Sequence, residues 1–143
     1  MDNREAKIND VPDLVSLMEQ LGYPTSVDKF KLRFNAIVAN PSYHTLVAEL
    51  DGKIVGMAGL CTGLSYEYDG SYVRIVAFVV DLNYRRNGIG EKLIQQAESW
   101  ARDQGAIVIA LNSGNREERK GAHQFYLKMG YEVKSIGFGK SLI

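Results

Sequence analysis

The stretch Tyr84-Arg85-Arg86-Asn87-Gly88-Ile89-Gly90 joins two segments with different hydrophobic patterns. The segment before it, residues 75–80, is an apolar run rich in branched and aromatic residues, too short for a typical helix, and predicts a buried strand. After it, apolar residues recur at helical spacing, at Ile89, Leu93, Ala97, Trp100 and Ala101. A strand that turns through glycines into a helix presents unpaired backbone N–H groups at the positive end of the helix dipole. The stretch therefore predicts an anion site built from backbone, and phosphate is the usual ligand of such a site.

The composition is that of an ordinary globular chain without a global charge. The 143 residues contain 17 Lys plus Arg and 17 Asp plus Glu, so no overall field attracts nucleic acid or a membrane surface. The length predicts a single domain over residues 1–143. Cys61 is the one cysteine, which excludes an internal disulfide and a multi-cysteine metal site, and no metal is expected. A charged N-terminus and the lack of a long apolar run predict a cytoplasmic protein.

Two helices are predicted before residue 40. Asp10 is the expected N-cap of the first, and Gly22 is expected to close it. Ser26 is the expected N-cap of the second, which the pair Asn40-Pro41 ends.

The rest of the chain predicts strands, with two further helices after residue 88. Runs typical of strands cover residues 46–50, 54–58, 60–64, the segment that ends at Val80, 106–111, and the short stretches 131–133 and 138–142. Asp51-Gly52-Lys53 predicts a hairpin, Gly105 the end of the third helix, and residues 119–129 a fourth helix. The expected fold class is α/β (α+β type), with a mixed sheet of about six to seven strands, a splayed parallel pair and about four helices.

The glycine turn resembles the acetyl-CoA loop of the GCN5-related N-acetyltransferase (GNAT) family. The family pattern is Arg or Gln, two residues, Gly, one residue, then Gly or Ala, and here it reads Arg85-x-x-Gly88-x-Gly90. The lead-in Val80-Asp81-Leu82-Asn83-Tyr84 is similar to the family's Val-Asp-Pro-Glu-Tyr, with Leu82 in place of the proline. Without the proline the turn is less rigid, but every N–H group is kept.

A second motif lies about 35 residues later, as the family fold requires. Ala122-His123-Gln124-Phe125-Tyr126-Leu127-Lys128-Met129-Gly130-Tyr131 resembles the family's Ala-His-x-Phe-Tyr-x-x-x-Gly-Phe/Tyr. In the family this tyrosine points at the sulfur of coenzyme A, so the resemblance implies that Tyr126 is the general acid. A phenol with a pKa near 10 stays protonated at neutral pH and can protonate a departing thiolate. The alternative is that Tyr126 is a core aromatic residue beside Phe125 and Met129.

The resemblance also implies how the chain would hold acetyl-CoA. Backbone N–H groups from Arg86 through Gly90 would bind the pyrophosphate, and the strand before them would run along the pantetheine arm. The N–H group of Val80 would stabilise the oxyanion of the thioester. The cofactor-binding residues implied in this way are Phe78, Val79, Val80, Arg85, Arg86, Asn87, Gly88, Ile89 and Gly90. The alternative is a plain strand-to-helix turn with solvated arginines.

Several assignments stay open at the level of sequence. Glu67 and Asp69, with His44 behind them, are the nearest candidates for a general base, or they are exposed turn residues. The family commonly has an asparagine seven residues before the tyrosine, where this chain has Arg119, and Asn115 is the other candidate for that role. The tyrosine-rich segment 66–72 suits either a cationic amine or packing on the sheet.

The residues and the resemblance together predict an N-acetyltransferase. A primary amine, on a small molecule or a peptide, would attack the thioester of acetyl-CoA directly in a ternary complex. No nucleic acid, membrane or metal partner is expected, and a homodimer is compatible with the family. One alternative is a catalytically silent module of the same fold that binds coenzyme A as a sensor. Another is a dinucleotide-dependent oxidoreductase, which is disfavoured because Leu93 stands where its third glycine belongs.

Overall fold

The computed structural model describes residues 1–113 and 120–143. By compactness the chain divides into two units, Met1–Ala110 and Leu111–Ile143. The strands are β1 (Asp2–Glu5), β2 (Tyr43–Leu50), β3 (Lys53–Leu64), β4 (Ser71–Val80) and β5 (Ala106–Leu111). The α-helices are α1 (Val11–Leu21), α2 (Val27–Ala39), α3 (Ile89–Asp103) and α4 (Lys120–Lys128), and short 3-10 helices cover Ile8–Asp10 and Leu82–Tyr84.

The strands form one mixed sheet in the order β1-β2-β3-β4-β5. The first four are antiparallel neighbours, and the turn between β2 and β3 places Asp51 at φ 51° and Gly52 at φ 79°, as a tight hairpin requires. β5 lies parallel to β4 at the edge. The two strands start side by side, since a Cβ added at Gly70 would lie 3.1 Å from the Ile107 Cδ1 atom.

The predicted fold class, α+β with a mixed sheet, a parallel pair of strands and about four helices, is confirmed. The described residues form five strands, fewer than the six to seven expected, because residues 131–133 and 138–142 have no strand assignment. Their apolar pattern is compatible with a strand. A strand also needs a neighbouring strand to pair with, and a local pattern does not contain that information. The sequence pattern missed β1, whose four residues are polar or charged.

All four helix ends predicted before residue 41 lie at the predicted residues. Gly22 closes α1 in the left-handed region at φ 105°, and the Ser26 side chain accepts a hydrogen bond of 3.2 Å from the Lys29 N–H group at the start of α2. Asn40 is the C-cap of α2. Asp10 is the N-cap residue of α1, as predicted, but its carboxylate makes no capping hydrogen bond to that helix and binds upstream groups instead.

Helices cover both faces of the sheet in the first unit. On one face α1 and α2 pack against β2, β3 and β4 through Val11, Leu14, Leu17, Phe30, Phe34, Val47, Ile54, Met57 and Val79. On the other face α3 lies so close to β3 that a Cβ added at Gly56 would come within 2.7 Å of the Leu93 Cδ1 atom. Gly56 therefore permits the close contact between α3 and the sheet.

In the second unit, α4 ends in a left-handed glycine. Gly130 has φ 93°, its N–H group donates to the Leu127 carbonyl at 3.1 Å, and the Tyr131 N–H group donates to the Tyr126 carbonyl at 3.0 Å. These two hydrogen bonds give the last carbonyl groups of α4 their donors, in the arrangement that commonly ends a helix at a glycine. It brings the Tyr131 ring to 6.1 Å from the Tyr126 ring, and the Phe125 ring lies 5.6 Å from Tyr126.

A charged network ties β1 to the rest of the first unit. Two Arg4 nitrogens donate to the two Asp10 carboxylate oxygens at 2.8 and 2.9 Å, and Arg4 Nε donates to Glu49 Oε1 at 2.9 Å. The Lys7 N–H group also donates to Asp10, at 2.7 Å. The Asp10 side chain is only 10 % exposed, so its charge needs these donors. The hydrogen bonds from Arg4 hold the pKa of Asp10 below its ordinary value.

Replacing Asp10 by Asn is expected to lower the free energy of unfolding at pH 7 by about 2 kcal/mol, because the Arg4 charge loses its buried partner. The pKa of Asp10 is lowered in the folded protein, so the carboxylate stabilises the fold above its ordinary pKa of 3.8 and stops doing so as the pH falls through the folded value. Urea unfolding from pH 7 to pH 2.5 should therefore show the gap between wild type and variant closing below about pH 4. Asp2→Asn, the same change at an exposed position of β1, is the control, and an equal loss there would contradict this account.

Candidate active site

The turn between β4 and α3 leaves the first N–H groups of the helix without helical partners. Gly88 is the N-cap of α3 at φ 76°, and as a glycine it has no side chain with which to cap the helix. The first helical hydrogen bond runs from the Lys92 N–H group to the Gly88 carbonyl at 3.1 Å. The N–H groups of the residues between, Ile89 to Glu91, lie before that bond and have no acceptor within the helix. They form the positive end of a helix of 15 residues.

The backbone of this turn adopts a conformation suited to an anion. Arg86 is a non-glycine residue at φ 68°, and Gly88 repeats the left-handed conformation two residues later. Left-handed residues that alternate with others turn successive N–H groups toward one concave side, which is how backbone nests hold anions. A Cβ added at Gly88 would meet no atom within 4 Å, so the space beside its backbone is open. The predicted anion turn thus has an open approach and a row of donors.

The last residues of β4 alternate in the direction of their backbone groups. The Asp81 N–H group donates to the Val55 carbonyl of β3 at 2.8 Å, and Val80 is paired with Gly56, Val79 with Met57 and Phe78 with Ala58. In an antiparallel pair every second residue directs its N–H and C=O groups away from the partner strand. Val80 and Phe78 therefore direct theirs away from β3, while the Val79 side chain lies in the core at 4 % exposure. The geometry therefore disfavours Val79 as a donor to a ligand.

A β-bulge interrupts β4 at Val76, four residues before its end. Gly59 pairs with Ala77 and Leu60 with Ile75, so Val76 is the extra residue, and its side chain is half exposed. A bulge strengthens the local twist and changes the face that the following residues present. The uniform apolar run 75–80 contained no signal for it, since a bulge depends on pairing with β3.

Arg85 is not simply a solvated side chain of the turn. Its Nε atom donates to the Val80 carbonyl at 3.1 Å, which closes the strand end back onto the loop. The residue as a whole is nevertheless exposed. Arg85, Arg86, Asn87, Gly88, Ile89 and Gly90 are thus gathered with Val80 at one end of β4.

Tyr126 lies on α4 in the second unit, where its ring contacts Phe125 and Tyr131. The helix that the sequence predicted for this motif is present over Lys120–Lys128. Asn115 and Arg119, the two candidates for the family's asparagine, lie outside the described residues. The catalytic assignment of Tyr126 stays a prediction.

The structure does not favour the carboxylates predicted as general base. Glu67 and Asp69 are exposed in the turn before β4, whereas Val80 is the last residue of that strand. A strand of 10 residues spans about 30 Å, so neither carboxylate reaches the Val80 N–H group. His44 contacts other partners: its ring stacks on Trp100 of α3 at 4.7 Å, and its Nδ1 atom lies 3.8 Å from Glu5 Oε1.

Among the residues that the structure describes, Cys61 contacts Tyr43 and Thr62. It is paired across the strands with Tyr43, and their hydrogen bond raises the pKa of the Tyr43 phenol. Its Sγ atom also donates to the Thr62 carbonyl at 3.6 Å.

Within the described ranges, no three His, Cys, Asp or Glu side chains are grouped so that they could hold a metal ion. No helix in those ranges has the length and apolar character needed to cross a membrane.

Comparison with known proteins identifies the class to which this fold and turn belong. The model of the acetyltransferase (GNAT) family matches residues 12–131, and the chain therefore belongs to this family of acyltransferases. An aminoalkylphosphonate N-acetyltransferase of Salmonella typhimurium is 30% identical over 140 residues, which cover 97% of this chain and 90% of that protein. A thialysine N-epsilon-acetyltransferase of Bos taurus is 31% identical over 121 residues, with 76% of this chain and 71% of that protein covered. The crystal structure of a GNAT family acetyltransferase of Staphylococcus aureus has a TM-score of 0.85 and 30% identity, and covers 99% of this chain and 98% of that one.

Proposed function

We propose that the chain transfers the acetyl group of acetyl-CoA to a primary amine by direct attack in a ternary complex, and that residues 1–143 act as one acetyltransferase domain. The observation that carries the proposal is the open turn at Arg86–Gly90, where helical N–H groups without helical acceptors meet two left-handed residues. A pyrophosphate is a ligand that fits this donor set, because its charge and its several oxygens match a row of backbone donors. The family match, which extends across both units of the chain, supports the same conclusion.

In the proposed reaction the chain contributes position and hydrogen bonds. The acceptor nitrogen forms a bond to the carbonyl carbon of the thioester while the C–S bond breaks, and the amine proton passes to solvent or to a base. The Val80 N–H group donates to the oxyanion that develops on the carbonyl oxygen. Tyr126 donates its phenolic proton to the departing thiolate sulfur. Holding amine and thioester together supplies most of the rate increase, because a neutral amine is already a good nucleophile.

The acceptor is proposed to be a small primary amine. Support comes from the relatives named for aminoalkylphosphonate and thialysine, which are both small molecules with an amine. The aminoalkylphosphonate relative covers 97% of the chain, so we place aminoalkylphosphonates first among the acceptors to be tried. A cytoplasmic location, which the sequence predicts, and a homodimer, which is compatible with the family, are further parts of the proposal.

The proposal is tested by a screen for thiol release. The purified chain is mixed with acetyl-CoA and, in separate wells, with aminoalkylphosphonates, thialysine, amino sugars, amino acids and a peptide with a free N-terminus. Amine-dependent release of coenzyme A, with an acetylated product found by mass spectrometry, is the expected result. Coenzyme A binding by calorimetry without turnover on any amine would favour the silent sensor module. No binding at millimolar coenzyme A would contradict both functions.

A further inference from the structure

A buried carboxylate lies directly before the proposed phosphate loop. Asp81 follows β4, and its side chain is only 5 % exposed. One carboxylate oxygen accepts a hydrogen bond of 2.9 Å from the Asn83 N–H group, and its own carbonyl accepts another of 2.9 Å from the Tyr84 N–H group. Asp81 thus caps the short 3-10 helix Leu82–Tyr84 through which the chain enters the loop.

The carboxylate is also bound to the β2–β3 hairpin. Lys53 Nζ lies 3.5 Å from Asp81 Oδ2, and the same ammonium lies 5.3 Å from the centre of the Tyr84 ring. The Asp81 N–H group donates to the Val55 carbonyl two residues further along β3. Lys53 therefore contacts both ends of the 3-10 segment, one by charge and one by a cation–π contact.

A third tie comes from α1. The Gln20 Oε1 atom accepts a hydrogen bond of 2.7 Å from the Leu82 N–H group. Leu82 stands where the family pattern has proline, which has no N–H group to satisfy. Gln20 of α1 binds the N–H group that leucine adds at this position. This hydrogen bond restrains the turn in place of the missing proline ring. Asp13 of the same helix accepts from the Ile54 N–H group at 3.1 Å and so binds the hairpin as well.

Asp81 is unsuited to bind phosphate itself, because a carboxylate and a phosphate are both negatively charged and repel each other. Its contacts instead hold the chain that leads into Arg85–Gly90. On the basis of the function proposed above, we infer that Asp81, with Lys53 as its counter-ion, is a positioning residue that orders the pyrophosphate loop before coenzyme A arrives. A loop that is ordered beforehand loses less conformational entropy when the ligand binds, and the difference is expressed as affinity.

The inference predicts a defect that depends on the phosphates of the acetyl donor. Asp81→Ala is compared with wild type on acetyl-CoA and on S-acetyl-N-acetylcysteamine, a thioester that lacks every phosphate group. With acetyl-CoA, kcat/KM should fall roughly tenfold through KM, and calorimetry should show an equal rise in the Kd of coenzyme A. With the truncated thioester, kcat/KM should stay within about twofold of wild type, because the loop contacts nothing in that donor.

Two further variants keep the test decisive. Asp81→Asn keeps an oxygen for the Asn83 N–H group and loses only the charge, so it should show a smaller defect of about threefold, and it replaces Asp81→Ala should that variant not fold. Asp51→Asn makes the same change on the exposed turn of the same hairpin, at φ 51° where Asn is tolerated, and should behave as wild type.

Equal losses on both thioesters, or unchanged affinity for coenzyme A, would overturn the role of Asp81 while leaving the proposed function intact. A wild-type protein that does not bind coenzyme A would overturn the function and this inference together. One that uses the two thioesters equally well would overturn this inference and leave the acetyl transfer itself intact.

Discussion

Replacing Tyr126 by Phe is expected to lower kcat about 100-fold and to leave the Kd of coenzyme A within about twofold. The phenol is proposed to protonate the thiolate as the C–S bond breaks, so its loss is felt in the transition state rather than on binding. A factor of 100 corresponds to about 2.7 kcal/mol of transition-state stabilisation. The ring itself stays, so the contacts of Tyr126 with Phe125 and Tyr131 are kept.

The matched control is Tyr131→Phe, which removes the same hydroxyl from a ring 6.1 Å away. Initial rates of thiol release at saturating acetyl-CoA and amine measure kcat, and calorimetry measures the affinity for coenzyme A. A loss confined to Tyr126→Phe supports the general acid. Full activity of Tyr126→Phe would show that the thiolate leaves without help from this residue, and that the aromatic cluster is Tyr126's whole role.

Gly88→Val is expected to weaken coenzyme A binding by at least about 100-fold. The wild-type residue is at φ 76° with open space beside it, and that space is where a phosphate would approach the backbone donors. A valine side chain would fill it. The left-handed backbone would also cost about 2 kcal/mol with a side chain present, so the loop would tend to leave the conformation that presents its N–H groups.

Gly105→Val provides a control for the strain alone. Gly105 follows the other end of α3 at φ 80°, and a Cβ there would likewise meet nothing within 4 Å. Both variants should therefore lose similar thermal stability, while only Gly88→Val loses affinity for coenzyme A in calorimetry. Equal affinities in the two variants would place the coenzyme away from this turn and would remove the main support of the proposed function.

One end of the β4–α3 turn is set by local sequence, and the other end is held by residues that are distant in the chain. The pattern Arg85-x-x-Gly88-x-Gly90 is local, and its glycine appears in the structure with the left-handed conformation that only a residue without a side chain adopts at low cost. The contacts before it are not local. Gln20 and Lys53 reach the turn from positions 62 and 28 residues away from their partners Leu82 and Asp81, and no spacing rule connects such pairs.

The amino-acid sequence by itself determined the features that depend on neighbouring residues. These are the apolar periodicity of the helices, the hairpin at Asp51-Gly52, the Ser26 cap and the glycine turn before α3, all of which are set within a few bonds of the residues concerned. The two motifs at their spacing identified the family, which the match over residues 12–131 confirmed. The roles of Tyr126 and Val80 stay predictions of that resemblance.

Tertiary structure alone decided the features that depend on pairing and packing. Arg4 of the polar strand β1 binds Asp10 and Glu49, and the Asp10 side chain, at the predicted N-cap position of α1, binds Arg4 and does not cap the helix. The bulge at Val76 arises from register with β3, and the length of β4 separates Glu67 from Val80 although both flank the same strand. Such outcomes are set by which distant groups satisfy each other's charge and hydrogen bonds once the sheet has formed, and a one-dimensional pattern does not contain that choice.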